Sequence, residues 1–256
     1  MIALFNAFGM SLINTIEKLA PLPVLLTGGT GWGKSVLARE IADRRKFGFI
    51  QFNAHPGMDI SLLVGMWRPQ PVNNGVTISW EDGLITRSAR TGQTLLLEEI
   101  TRAPQEAMSR LFGLMDTQNR YWSLPEAGIP EVPIDPNFWL IATANIGQGY
   151  YVSRLDDALA RRFAAIIEIA APIADERKLL EEIVGQNTAG HVLEWVRTAR
   201  YEIVPSVNTG DLLMIARSMV ALSLSLKDAV TFTLHGREQY AQVTGRLEEL
   251  AAVHPC

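Results

Sequence analysis

The chain has 256 residues, 48% of them hydrophobic and 20% charged, and a formal net charge of −4. That suits one large domain, or an α/β domain with a small appendage, and supplies no global basic field for non-specific nucleic-acid binding. The lone cysteine, Cys256, excludes an internal disulfide and a cysteine zinc cluster, so a reducing, cytoplasmic setting is expected.

Met1 to Met10 is apolar but carries no basic residue, which argues against a signal peptide. Residues 11–19 have helical spacing of Leu12, Ile13, Ile16 and Leu19. Pro21 and Pro23 end that helix, and Val24-Leu25-Leu26 opens a first strand. There follows Gly28-Gly29-Thr30-Gly31-Trp32-Gly33-Lys34-Ser35, which fits G-x-x-x-x-G-K-[ST] at every fixed position. Val36 to Ala42 then has apolar residues at helical spacing. Strand, glycine-rich loop and helix in that order is the context that cradles phosphates on backbone N–H groups. Lys34 would reach the β- and γ-phosphates, and the Ser35 hydroxyl would ligate Mg²⁺. Trp32 is unusual within such a loop, and a packing or interface role is expected for it.

Residues 47–53 alternate at period two and predict a second strand, and 59–64 a short capped helix. Residues 65–83 read as a hairpin around Asn74-Gly75. A helix over 84–90 leads to Thr94-Leu95-Leu96-Leu97, a run suited to a strand covered on both faces. Glu98 and Glu99 close that run. The carboxyl end of a parallel strand is where ligands bind, so Glu98 is a candidate for the metal and Glu99 for polarising water. An acidic pair at a strand end can equally be solvated surface.

Residues 103–115 predict a helix with Pro104 in its first turn, and the prolines of 120–136 fit a loop or irregular hairpin. A buried strand over 137–143 ends near Asn145, which could hold water or the γ-phosphate, or simply form a turn before Ile146-Gly147. A helix over 155–162 carries Arg161 and Arg162, either a surface basic pair or a finger toward a neighbouring subunit's nucleotide. A last strand spans 165–169. Beyond Pro172 only helices are expected, over 175–184, 191–200, 211–224 and 229–250. The apolar tract Leu212 to Leu226 is interrupted by Arg217 and is too short to span a bilayer. The domains are therefore set at 1–172, α/β, and 173–256, all-helical. His55, His191, His235 and His254 show no ligand spacing.

With these motifs in this order the chain resembles the AAA+ ATPases, and more narrowly the MoxR group, closest to its CbbQ/NorQ/NirQ branch. The stretches that carry it are the P-loop, Leu95 to Ala103, Ala142-Thr143-Ala144-Asn145 and Ala158 to Phe163. Asp59 to Gly65, Trp80 to Arg87 and Pro136 to Trp139 support the branch. The resemblance implies a P-loop NTPase core with a helical lid, using ATP and Mg²⁺ and usually assembled as a hexameric ring. It casts Gly28, Gly29, Thr30, Gly31, Trp32, Gly33, Lys34, Ser35 and Val36 as the nucleotide loop. It casts Ser35 and Glu98 at the metal, Glu99 as the base, Asn145 as sensor 1 and Arg162, beside Arg161, as arginine finger. It turns the 65–83 insert toward a ring pore, where Trp67 and Trp80 either line the pore or pack against their own domain. The lid arginine of these relatives has no counterpart in Ser206 to Asp211, where Gly210 stands, and Arg217 lies two turns further on.

The resemblance implies an ATP-driven ring that remodels a protein client, in some relatives a metalloenzyme with a von Willebrand factor A-domain adaptor. Two alternatives stand beside it: a nucleotide-binding assembly module with little turnover, and the ATPase subunit of a metal-chelatase-like complex. No basic stripe interleaved with aromatics supports a nucleic-acid motor.

Overall fold

The computed structural model describes residues 7–73, 75–145, 157–169, 176–203, 207–237 and 240–253. The chain opens with helix α1 (Ala7–Glu17), which starts ahead of residue 11 and buries Ile13 and Ile16. Strand β1 (Val24–Gly28) leads into α2 (Lys34–Arg45). That helix begins inside the motif, because Gly33 adopts φ 85° and turns the chain directly into the first helical residue.

β2 (Phe49–Asn53) and α3 (Ile60–Val64) come next, the latter capped by Asp59 accepting from the Ser61 N–H at 2.8 Å. The insert is the expected hairpin, β3 (Gly65–Val72) paired antiparallel with β4 (Gly75–Asp82). α4 (Leu84–Thr91), β5 (Thr94–Glu98) and α5 (Gln105–Leu114) follow. Pro104 caps α5 in extended backbone rather than occupying its first turn. The proline-rich segment is an irregular hairpin, β6 (Tyr121–Leu124) with β7 (Ile129–Pro133), its register shifting between Trp122 and Leu124. β8 (Trp139–Asn145), α6 (Asp157–Ala160) and β9 (Ala165–Ile169) complete the α/β part.

Five strands form one sheet in the order β2-β5-β8-β1-β9, and every neighbouring pair is parallel. Period-two alternation divides their side chains between two buried faces. Leu25, Leu95, Leu97 and Leu140 pack toward α4, α5 and the irregular hairpin. Val24, Leu26, Leu96, Trp139 and Ile141 pack toward α1 and α2. Parallel register aligns the carboxyl ends: Gly28 pairs with Asn145, and Leu97 with Ala142. The loops that follow β1, β5 and β8 therefore emerge side by side.

The helical part comprises α7 (Glu176–Val184), α8 (Gln186–Glu202), α9 (Thr209–Leu222), α10 (Leu226–Leu234) and α11 (Thr244–Val253) around a core of their own. The single helix expected over 229–250 is two helices. α10 starts earlier, at a Ser225 cap, and stops before Gly236. Tyr240, 1% exposed, then turns inward and donates its hydroxyl to Asp211 at 2.5 Å. Both helices face the same core. Among the described residues no single helix is long and apolar enough to cross a membrane, and α9 and α10 meet at a bend of 118°. The domain boundary at Pro172, the turn at Ile146-Gly147, Leu155, Ser206, His254 and Cys256 lie outside the described residues.

Candidate functional site

The loop between β1 and α2 takes its shape from glycines. Gly31 and Gly33 adopt φ of 76° and 85°, where a Cβ would be strained. These turns leave backbone N–H groups free to converge ahead of the α2 N-terminus, with its partial positive charge. Lys34 is the first residue of α2 and only 6% exposed. Its ammonium donates to the carbonyls of Gly28 at 3.0 Å and Gly29 at 2.7 Å, and to Asn145 Oδ1 at 2.8 Å. Burial pulls the Lys34 pKa from 10.5 down to about 8, partly countered by the nearby charges of Glu99 and Glu98.

Glu98 ends β5, and its Oε1 accepts from Gln51 Nε2 on β2 at 2.5 Å. Gln51 in turn accepts from Arg39 of α2, at 2.5 Å and 3.2 Å. Glu99 sits in the left-handed region at φ 52°, a conformation that costs an ordinary residue about 1–2 kcal/mol. Its own N–H donates to Thr143 Oγ1 at 3.1 Å, which ties the strained turn to β8. Its carboxylate accepts from Arg102 at 2.7 Å and, at 3.4 Å, from Asn145 Nδ2. Asn145 thus touches Lys34 with its oxygen and Glu99 with its amide.

Lys34, Glu98, Glu99, Thr143 and Asn145 line one cavity of about 450 Å³ whose far wall is the helical part. Thr30, Trp32, Ser35 and Val36 line it from the loop and α2; Leu179, Thr209, Gly210, Leu213 and Arg217 line it from α7 and α9. α9 is seated on the loop itself. Its cap residue Asn208 faces Gly31 so closely that a Cβ on Gly31 would overlap the Asn208 side-chain oxygen. Asn208 is held from behind by Asp211, through Nδ2 at 2.6 Å and the Asp211 N–H at 2.9 Å, and Asp211 is paired with Arg237. Glu176 of α7 accepts from Thr209 at 2.6 Å and from both terminal nitrogens of Arg200 at 2.8 Å.

The fold thus gathers Lys34, Ser35, Glu98, Glu99 and Asn145 at three strand ends. Arg217, two turns into its helix, lines the cavity. Residues 210, 213 and 217 share one helix face, and helical side chains lean toward the N-terminus, which carries the Arg217 head back over the cavity. Arg161 and Arg162 do not line this cavity. Both are exposed, and the Arg162 guanidinium lies 4.3 Å from the Phe112 ring centroid on α5. Sequence reasoning did not single out Thr143, Gln51, Arg102 or Asn208 for these contacts. Gln51 was legible as the polar residue inside an apolar strand and Asn208 as a helix cap; Arg102 carries no local signal.

The donor set suits magnesium, a hard cation that takes oxygen ligands and keeps several waters. A hydroxyl, Ser35, and a carboxylate, Glu98, line the cavity together. The backbone cradle at Gly31 and Gly33 suits a polyphosphate.

Residues 23–163 match the family described as AAA domain (dynein-related subfamily). Protein NorQ of Paracoccus denitrificans is 30% identical over 145 residues, covering 57% of this chain and 52% of that one. The putative chaperone BssE of Thauera aromatica is 28% identical over 239 residues, covering 90% of this chain and 81% of that one. The chain therefore spans only about half the length of NorQ, at 52%. A crystal structure of NtrX from Brucella abortus in complex with ADP superposes with a TM-score of 0.57 at 19% identity, covering 94% of this chain and 53% of that one. At that identity the likeness speaks to the fold.

Proposed function

The chain belongs to the AAA+ ATPases, with the dynein-related AAA domain and the NorQ and NirQ relatives of the MoxR type, and on that premise we propose that it binds and hydrolyses ATP in an oligomeric ring, a hexamer, to remodel a protein client. One observation carries the reading. Lys34, Asn145 and Glu99 are joined in a single hydrogen-bonded chain at the mouth of the phosphate cradle.

Each residue then has a task. The loop N–H groups and the Lys34 ammonium hold the polyphosphate, the lysine exchanging its carbonyl partners for phosphate oxygens. Ser35 and Glu98 would hold a magnesium ion, which neutralises phosphate charge when bound. Asn145 orients a water, and the Glu99 carboxylate accepts its proton as the oxygen attacks the γ-phosphorus and the bond to ADP breaks. Arg162 completes the site from a neighbouring subunit, with Arg161 beside it; their position outside their own subunit's cavity supports that division. A cytoplasmic setting, and a von Willebrand factor A-domain adaptor between ring and client, belong to the same proposal. So does a lid beginning near residue 173.

A second reading, an assembly module with little turnover, draws on the pairing of Glu99 with Arg102 at 2.7 Å, which occupies one oxygen of the base. Phosphate release and particle mass, each measured with and without ATP, separate the two. ATP-dependent rings with multiple turnovers, abolished in Lys34→Ala and Glu99→Gln, are expected. Turnover unaffected by both changes defeats the first reading, and rings without turnover favour the second.

A further inference from the structure

Trp32 stands where the phosphate loop needs no side chain. In the structure it does two things at once. Its ring atoms Cδ2, Cε2 and Cζ2 lie 2.8–3.2 Å from the position a Cβ on Gly29 would take, so the indole lies face-on over the Gly29 backbone. It also lines the cavity and is only partly buried against the α1–α2 core. Packing alone would be met by burying the ring; this ring is divided between the loop and the open space.

The cavity is chemically divided in the same way. Lys34, Ser35, Glu98, Glu99 and Asn145 occupy one end, fixed by the strand ends. Trp32, Val36, Leu179 and Leu213 add apolar surface to the lining, beside Thr30, Thr209, Gly210 and Arg217. A triphosphate held by the cradle leaves the rest of the cavity to its ribose and base. There the side chains offer a π-face and aliphatic surface. Among the described residues that line the cavity, the side-chain amide and carboxylates are those of Asn145, Glu98 and Glu99 at the strand ends, so the rest of the lining holds no amide or carboxylate to read a base edge.

We propose that Trp32 is the platform on which the nucleobase stacks, with Leu213 and Leu179 closing over it, and that stacking rather than edge hydrogen bonds sets base choice. The inference rests on the nucleotide-site reading above. Stacking is tolerant of base identity because every base has a π-face. The site therefore takes purine nucleoside triphosphates as a class, GTP nearly as well as ATP.

The test is equilibrium binding of ATP, GTP and inorganic tripolyphosphate to the full chain and to Trp32→Ala, Trp32→Leu and Trp32→Phe. Leucine keeps the packing on Gly29 without the π-face, which guards against mere loosening of the loop. Wild type binds ATP and GTP within about tenfold of each other. Trp32→Ala and Trp32→Leu lose both by about five- to hundredfold, Trp32→Phe restores them, and tripolyphosphate binding stays the same throughout. The platform is overturned if Trp32→Leu binds ATP as wild type does, if tripolyphosphate is lost in step with ATP, or if GTP is disfavoured beyond tenfold. Wild type binding neither nucleotide nor tripolyphosphate overturns the phosphate site itself, and the platform with it.

Discussion

The Lys34 ammonium and the Asn145 side-chain oxygen are 2.8 Å apart, although 111 residues separate them in the chain. β1 and β8 pair in parallel with Gly28 opposite Asn145, so each strand delivers its functional residue to the same edge. The contact has an electrostatic consequence. Lys34 is satisfied by three neutral oxygens in a buried place, while its counter-charges, Glu98 and Glu99, are not hydrogen-bonded to it.

That environment makes nucleotide binding pH-dependent. With its pKa lowered to about 8, Lys34 is partly neutral at pH 8–9 in the free protein. An arriving polyphosphate favours the charged form, so binding takes up protons in that window. Titration calorimetry at pH 8.5 in two buffers of different ionisation enthalpy should show the uptake, and Lys34→Arg should abolish it. For folding the sign is the reverse of a paired lysine. The cost of burying the charge is present in full below pH 8 and is relieved between pH 8 and 10.5, where the unfolded chain binds the extra proton.

Glu99→Gln keeps the shape of the site and removes the base. ATP affinity should stay within about threefold of wild type, while turnover falls by about 10²–10³-fold. Single-turnover phosphate release beside equilibrium binding checks both halves.

Gly31→Ala should strike the lid and the loop together. The positive φ costs about 1–2 kcal/mol, and the added methyl overlaps Asn208. Thermal unfolding should show destabilisation by about 2 kcal/mol or more. Combining it with Asn208→Ala should cost less than the sum of the single changes, by about 1 kcal/mol, because the clash and the cap share one side chain.

Among the described residues Arg162→Ala loses a surface contact with Phe112, so stability should change by less than about 1 kcal/mol. If the residue serves a neighbour, turnover should fall by about 10³-fold or more with ATP binding intact. Mixing this variant with Lys34→Ala subunits should restore activity, since each supplies what the other lacks; no recovery in mixed rings counts against action between subunits.

Arg217 has no ion-pair partner among the described residues, and its removal should leave the melting temperature unchanged. ATP affinity in Arg217→Ala should fall by about three- to tenfold, and affinity for adenosine should not.

Local pattern determined much of this protein. Glycine placement in 28–35, apolar runs at 24–26, 94–97 and 139–142, and polar residues at the ends of those runs specify a parallel strand with a phosphate loop and carboxylates beyond it. These are properties of a few adjacent residues, which is why they can be read off in order. Three things were settled only when the chain closed on itself. Parallel register brought Asn145 to Lys34. The seat of α9 on Gly31 brought Arg217 over the cavity from two turns along the helix. The inward turn of Tyr240 onto Asp211 separated two helices where one was expected. Each depends on contacts between segments far apart in the chain, and neither propensity nor periodicity encodes those.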